Sequence, residues 1–114
     1  MNKKNIIDMY HGHKIATLRP IKNNQGYLKE GTIQQVKLSH YDKKWYLKVK
    51  ILKRRFIDIN QLKEIHYKAL GYKDKEEYLE EEFNQNNPSN YRVIYFFKVY
   101  MVNTDLIKEL EEKK

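Results

Sequence analysis

Residues 11–20 read HGHKIATLRP, so two histidines, a lysine, a threonine and an arginine fall within ten positions. Only Ile15, Ala16 and Leu18 in that stretch have the character of core. His11 and His13 flank Gly12 and could begin a metal site. Zinc, however, takes three or four ligands with supporting acceptors, and His40 and His66 belong to unrelated segments. No metal and no cofactor is expected. Thr17 could attack an amide once a base removed its hydroxyl proton, and Lys14 is the nearby base. That role requires the amine to lose its own proton, through desolvation or a neighbouring cation such as Arg19. The competing explanation is that Thr17 is an ordinary strand residue and Lys14 a solvated side chain.

A second set of residues lies further along. Lys43 and Lys44 sit in a turn, Lys48 and Lys50 alternate along WYLKVKIL, and Lys53, Arg54 and Arg55 follow directly. Cations in such a line can follow a phosphate backbone, while Tyr41 and Tyr46 beside them could stack on unpaired bases. The competing explanation is a solvated edge whose lysines guard against strand-to-strand aggregation.

Charge segregation favours the first explanation. The chain of 114 residues has a net charge of +8. Residues 1–57 hold 14 Lys and Arg against 3 Asp and Glu, whereas residues 58–114 hold 9 against 12. A basic half in a mixed protein is the footprint of a polyanion partner, and nucleic acid is the usual one. There is no cysteine, hence no disulfide framework and no thiolate chemistry. The longest wholly apolar run is VIYFF (93–97), too short for a membrane span. MNKKNIIDMY is interrupted by Asp8 and does not read as a signal peptide. A cytoplasmic protein with no membrane partner is expected.

These residues need a scaffold. NIIDMYH (5–11) reads as a short helix capped by Asn5 and ended by Gly12. KIATLR follows as a strand, which Pro20 keeps from being a central ladder partner. Asn23, Asn24, Gly26 and Gly31 mark a loop. TIQQVKLS and WYLKVKIL form a hairpin, with Trp45, Leu47, Val49 and Ile51 on one face and Tyr46, Lys48 and Lys50 on the other. Asp58 and Gln61 form a capping box for a helix with Leu62, Ile65, Ala69 and Leu70 as its apolar stripe, closed by Gly71. Asp74 and Glu77 open a second helix with Tyr78, Leu79 and Phe83 as its buried residues. NQNNPSN (84–90) is a loop. YRVIYFFKVYMV (91–102) is apolar in both parities and should be a strand covered on both sides. Thr104 caps a terminal helix. The organisation expected is one domain over residues 1–103 with a helical tail over 104–114.

The order and its motifs resemble the ASCH domain (activating signal cointegrator homology), a small β-barrel family related to PUA-like domains. The resemblance spans roughly residues 5–102. It rests on Gly12 leading into K-x-x-T-x-R (Lys14, Thr17, Arg19), on LKEGT before a barrel strand, and on the basic hairpin. It rests further on a helix ending in LGY, on the acidic EEYLEEEF, and on the final aromatic strand. It implies an α+β fold: a small PUA-like barrel of mostly antiparallel strands with helices packed at one end. It implies also a cleft between barrel and helices, and RNA or a modified nucleoside as ligand.

Some small members of that family are amidohydrolases acting on N4-acetylated cytidine, and others have been described as ribonucleases. The hydrolase members use a lysine, a threonine and a glutamate. Lys14 and Thr17 match the first two, but the glutamate position falls on Leu70, and Glu64 and Asp74 lie outside the frame. The expectation is therefore a binding module whose cleft is lined by Lys14, Thr17 and Arg19 and flanked by the basic hairpin. The alternatives are a small hydrolase with Thr17 as nucleophile and Lys14 as base, and a protein-interaction module using the acidic or the terminal helix.

Overall fold

A computed structural model describes residues 2–20, 27–39, 42–83 and 91–112. Helix α1 (Lys3–Tyr10) leads into strand β1 (Ala16–Pro20), followed by β2 (Ile33–Val36) and β3 (Leu47–Asp58). A 3-10 turn (Ile59–Gln61), α2 (Glu64–Ala69) and α3 (Lys75–Phe83) come next, then β4 (Tyr91–Val102) and α4 (Thr104–Glu112). The strands form one curled antiparallel sheet in the order β1-β4-β3-β2, so the fold is α+β and barrel-like, as expected. Pro20 lies on an edge strand, where its missing N–H costs no ladder bond.

The two faces of the sheet bury different clusters. On the inner face Leu47, Val49 and Ile51 of β3 meet Val93, Tyr95 and Phe97 of β4, and Ile6 and Met9 of α1 close over them. Ile107 and Leu110 of α4 join the same cluster, which fixes the terminal helix against the core. On the outer face Ala16 and Ile94 receive Ala69 of α2 and Leu70 at its C-terminus. Leu62, Tyr67 and Tyr78 continue that contact, with their rings packed 5.2 Å apart in the Tyr67–Tyr78 pair. Both parities of β4 are thus buried over residues 92–95, whereas Tyr100 and Met101 at its far end are exposed.

Five local expectations are corrected. Asn2 caps α1, its side chain accepting from Asn5 N at 2.8 Å, so the helix starts earlier than Asn5 would allow. Strand β3 runs through the basic triplet to Asp58, because β4 supplies pairing partners as far as Tyr91. Asp58 consequently caps only the 3-10 turn, and α2 begins at Glu64 with His66 Nδ1 accepting from Lys63 N at 2.9 Å. Of the expected apolar stripe Leu62, Ala69 and Leu70 are buried, but Ile65 is 72% exposed and Tyr67 is buried instead. In α3, Tyr78 is buried as expected but Leu79 is exposed. The loops at 21–26 and 84–90, together with His40, Tyr41 and the Phe83 side chain, lie outside the described residues.

A bulge shapes the site. Ile51 pairs with Phe97 and Lys53 with Phe96, so Leu52 is the extra residue on β3. A second irregularity on β4 skips Tyr100 between Val99 and Met101. Bulges bend and twist a strand, which brings the two edge strands of this sheet toward one another.

Candidate ligand cleft

Strand β1 alternates in the ordinary way, so Ala16 and Leu18 face α2 and α3 while Thr17 and Arg19 face inward. There they look across the sheet to β2, and the space between is a cleft of about 660 Å³. Val49, Ile51 and Phe97 form its floor and Met9 one end. Gln34, Gln35 and Lys37 supply a polar side opposite Thr17 and Arg19. Arg19 is exposed and has no carboxylate partner among the described residues. An apolar floor with a few polar groups at its rim is the usual form of a site for a small planar ligand.

Lys14 takes a different position. Its side chain is 6% exposed and its amine donates to the Leu70 carbonyl at 2.8 Å. Leu70 follows the last helical residue of α2, so the lysine satisfies one of the carbonyls that a helix leaves free at its C-terminus. The neighbouring carbonyl of Ala69 accepts from Ile15 N at 2.8 Å, and the chain entering β1 is thereby tied to α2 twice. Thr17 and Arg19 share the cleft; Lys14 is not among the described residues lining it.

Gly71 completes this arrangement. It adopts a positive φ of 92°, and a Cβ there would come within 3.2 Å of Lys14 Cβ. Gly71→Ala should therefore destabilise the protein by at least about 1–2 kcal/mol, the strain of a left-handed non-glycine residue, measurable by urea unfolding.

Among the described histidines, His11 and His13 lie near each other, with ring centroids 6.2 Å apart. His11 Nε2 lies 2.7 Å from Glu111 Oε1, joining α1 to α4, and His66 is engaged in the α2 cap. Among the described residues no three His, Asp or Glu side chains are grouped as a metal site. No described helix is long and apolar enough to cross a membrane.

The basic hairpin is divided by the bulge at Leu52. Lys48 and Lys50 stand on the outer face, as do Lys53 and Arg55, which pair with Phe96 and Ile94. Arg54 pairs with Tyr95 and turns inward. There its guanidinium lies 5.8 Å from the Tyr27 ring centroid and 5.9 Å from that of Phe56, and donates to the Leu28 carbonyl. Tyr46 packs against the inner core, while Lys43 and Lys44 are exposed before β3.

Comparison with protein-family models and with curated proteins gives no match. Solved structures do match. An ASCH domain from Lactobacillus crispatus JV V101 superposes with a TM-score of 0.72 at 18% identity, covering 84% of this chain and 70% of that one. The chain has an ASCH-like fold. A DUF984 protein from Enterococcus faecalis V583 gives a TM-score of 0.67, also at 18% identity, over 89% of this chain and 72% of that one.

Two features of the cleft had no sequence signal sufficient to find them. Gln34, Gln35 and Lys37 join the site only because the sheet curls. Met9 joins it because α1 packs over the inner face, although its spacing with Ile6 did mark it as buried.

Proposed function

We propose that this ASCH-like domain binds RNA, taking one unpaired base into the inner cleft. The observation that carries the reading is the cleft itself. A base can lie on Val49, Ile51 and Phe97 while its polar edge meets Thr17 on one side and Gln34 on the other. Arg19 stands at the rim, where it can pair with a phosphate oxygen. The charge excess of the N-terminal half supports the same partner.

Anisotropy titration of a short single-stranded oligoribonucleotide over a range of salt concentrations tests this. Affinity should fall steeply as salt rises, and Arg19→Ala should reduce the log–log slope by about one counterion. A flat salt dependence would overturn the proposal. Incubation with N4-acetylcytidine separates binding from chemistry: release of acetate that is lost in Thr17→Ala would replace the binding reading with the hydrolase one.

A further inference from the structure

The outer face of the sheet carries cations that the cleft does not use. Lys48 and Lys50 project there from β3, and Lys98 of β4 stands directly opposite Lys50. Like charges placed opposite each other across a ladder are destabilising, so this pair costs the fold rather than supporting it. Past the bulge, Lys53 and Arg55 continue on the same face toward α2, beside a depression lined by Phe96, Ile94 and His66. None of these five cations has a carboxylate partner among the described residues. Met101 shares the face and is 46% exposed, and the Lys48 amine lies 4.8 Å from the Trp45 ring centroid.

We infer that this outer strip binds the phosphate backbone of a single-stranded RNA, on the side of the sheet opposite the cleft. Alternate residues on a strand are about 6.6 Å apart, so Lys48 and Lys50 present charge at a regular repeat suited to an extended backbone. The exposed apolar side chain of Met101 beside them gives the bases a dry surface. An acidic protein would satisfy the charge equally well, and the choice of RNA rests on the function proposed above. The strip does not rest on the cleft, because no lysine of the strip lines it.

The test is the full chain carrying Lys48→Gln, Lys50→Gln and Lys98→Gln together, titrated with an oligouridylate across salt concentrations. Three lost phosphate contacts should lower the slope by about two, at roughly −0.7 per contact for a single strand, and weaken low-salt binding at least about tenfold. Removing the Lys50–Lys98 repulsion should leave the melting temperature unchanged or raised, which shows that the variant is folded. Wild-type slope and affinity in the triple variant, with a loss in Arg19→Ala, would overturn the strip and leave the cleft standing. A flat salt response of the wild type would overturn both. Competition by polyglutamate as effective as that by RNA would overturn the assignment to nucleic acid.

Discussion

Lys14→Met is expected to lower the unfolding free energy by about 1.5–3 kcal/mol while leaving RNA affinity of the folded protein unchanged. Methionine preserves most of the length and volume of the lysine stem, so the loss reports the polar contacts of the amine, the Leu70 carbonyl among them. The Leu70 carbonyl lies in a residue only 2% exposed and accepts from the Lys14 amine at 2.8 Å. Deprived of that donor it is left buried, and a buried unsatisfied carbonyl costs more than the net worth of an ordinary hydrogen bond. The junction also holds β1 in line, because Ile15 N binds the adjacent Ala69 carbonyl. Urea unfolding measures the first half of the expectation and an oligonucleotide titration, well below the transition, the second. Unchanged stability with weakened binding would place Lys14 in the ligand site instead.

This outcome bears on what K-x-x-T-x-R encodes. In the sequence the three residues look equivalent, spaced for one cleft. Strand alternation sends Thr17 and Arg19 to the inner face, but Lys14 precedes β1, where alternation does not apply. Its direction is set by α2, which no local signal connects to residue 14. The resemblance to ASCH domains put the missing glutamate at Leu70. In the structure Lys14 and Leu70 do meet, through a main-chain carbonyl where a glutamate side chain was missing.

The same distinction between local and long-range information runs through the fold. Alternation in WYLKVKIL identified Leu47, Val49 and Ile51 as core because it reports one strand's own geometry. It failed beyond Ile51, since a bulge is specified by the partner strand as well as by the bulged one. One extra residue at Leu52 sends Arg54 inward to Tyr27 and Phe56, and leaves Lys53 and Arg55 outside. The helix signal at Asp58 was a genuine cap that served only a 3-10 turn, because pairing with β4 held the preceding residues extended. The cationic surface was legible as composition but not as geometry: Lys98 belongs to it only through the β3–β4 register.

The cleft floor is also part of the core, and Phe97→Ala exposes that double duty. Phe97 is 4% exposed, pairs with Ile51 and lines the cleft. Truncation should cost about 3–5 kcal/mol, since the ring's contacts are lost and the surrounding sheet cannot collapse into the gap. Against a total of roughly 5–15 kcal/mol for a domain, that is a large fraction, visible as a lower urea midpoint. Its backbone N–H donates to the Ile15 carbonyl at 3.0 Å, a bond the substitution leaves in place, so β1 should stay attached. A ligand that rests on this floor couples the two roles. At a hundredfold excess over its Kd, RNA should stabilise the wild type by about 2.7 kcal/mol. The variant should gain less, because a base in the cleft would lie over a cavity instead of a ring. Equal gains in the two proteins would mean that RNA binds without touching the floor, and would leave the outer strip as the surface that holds it.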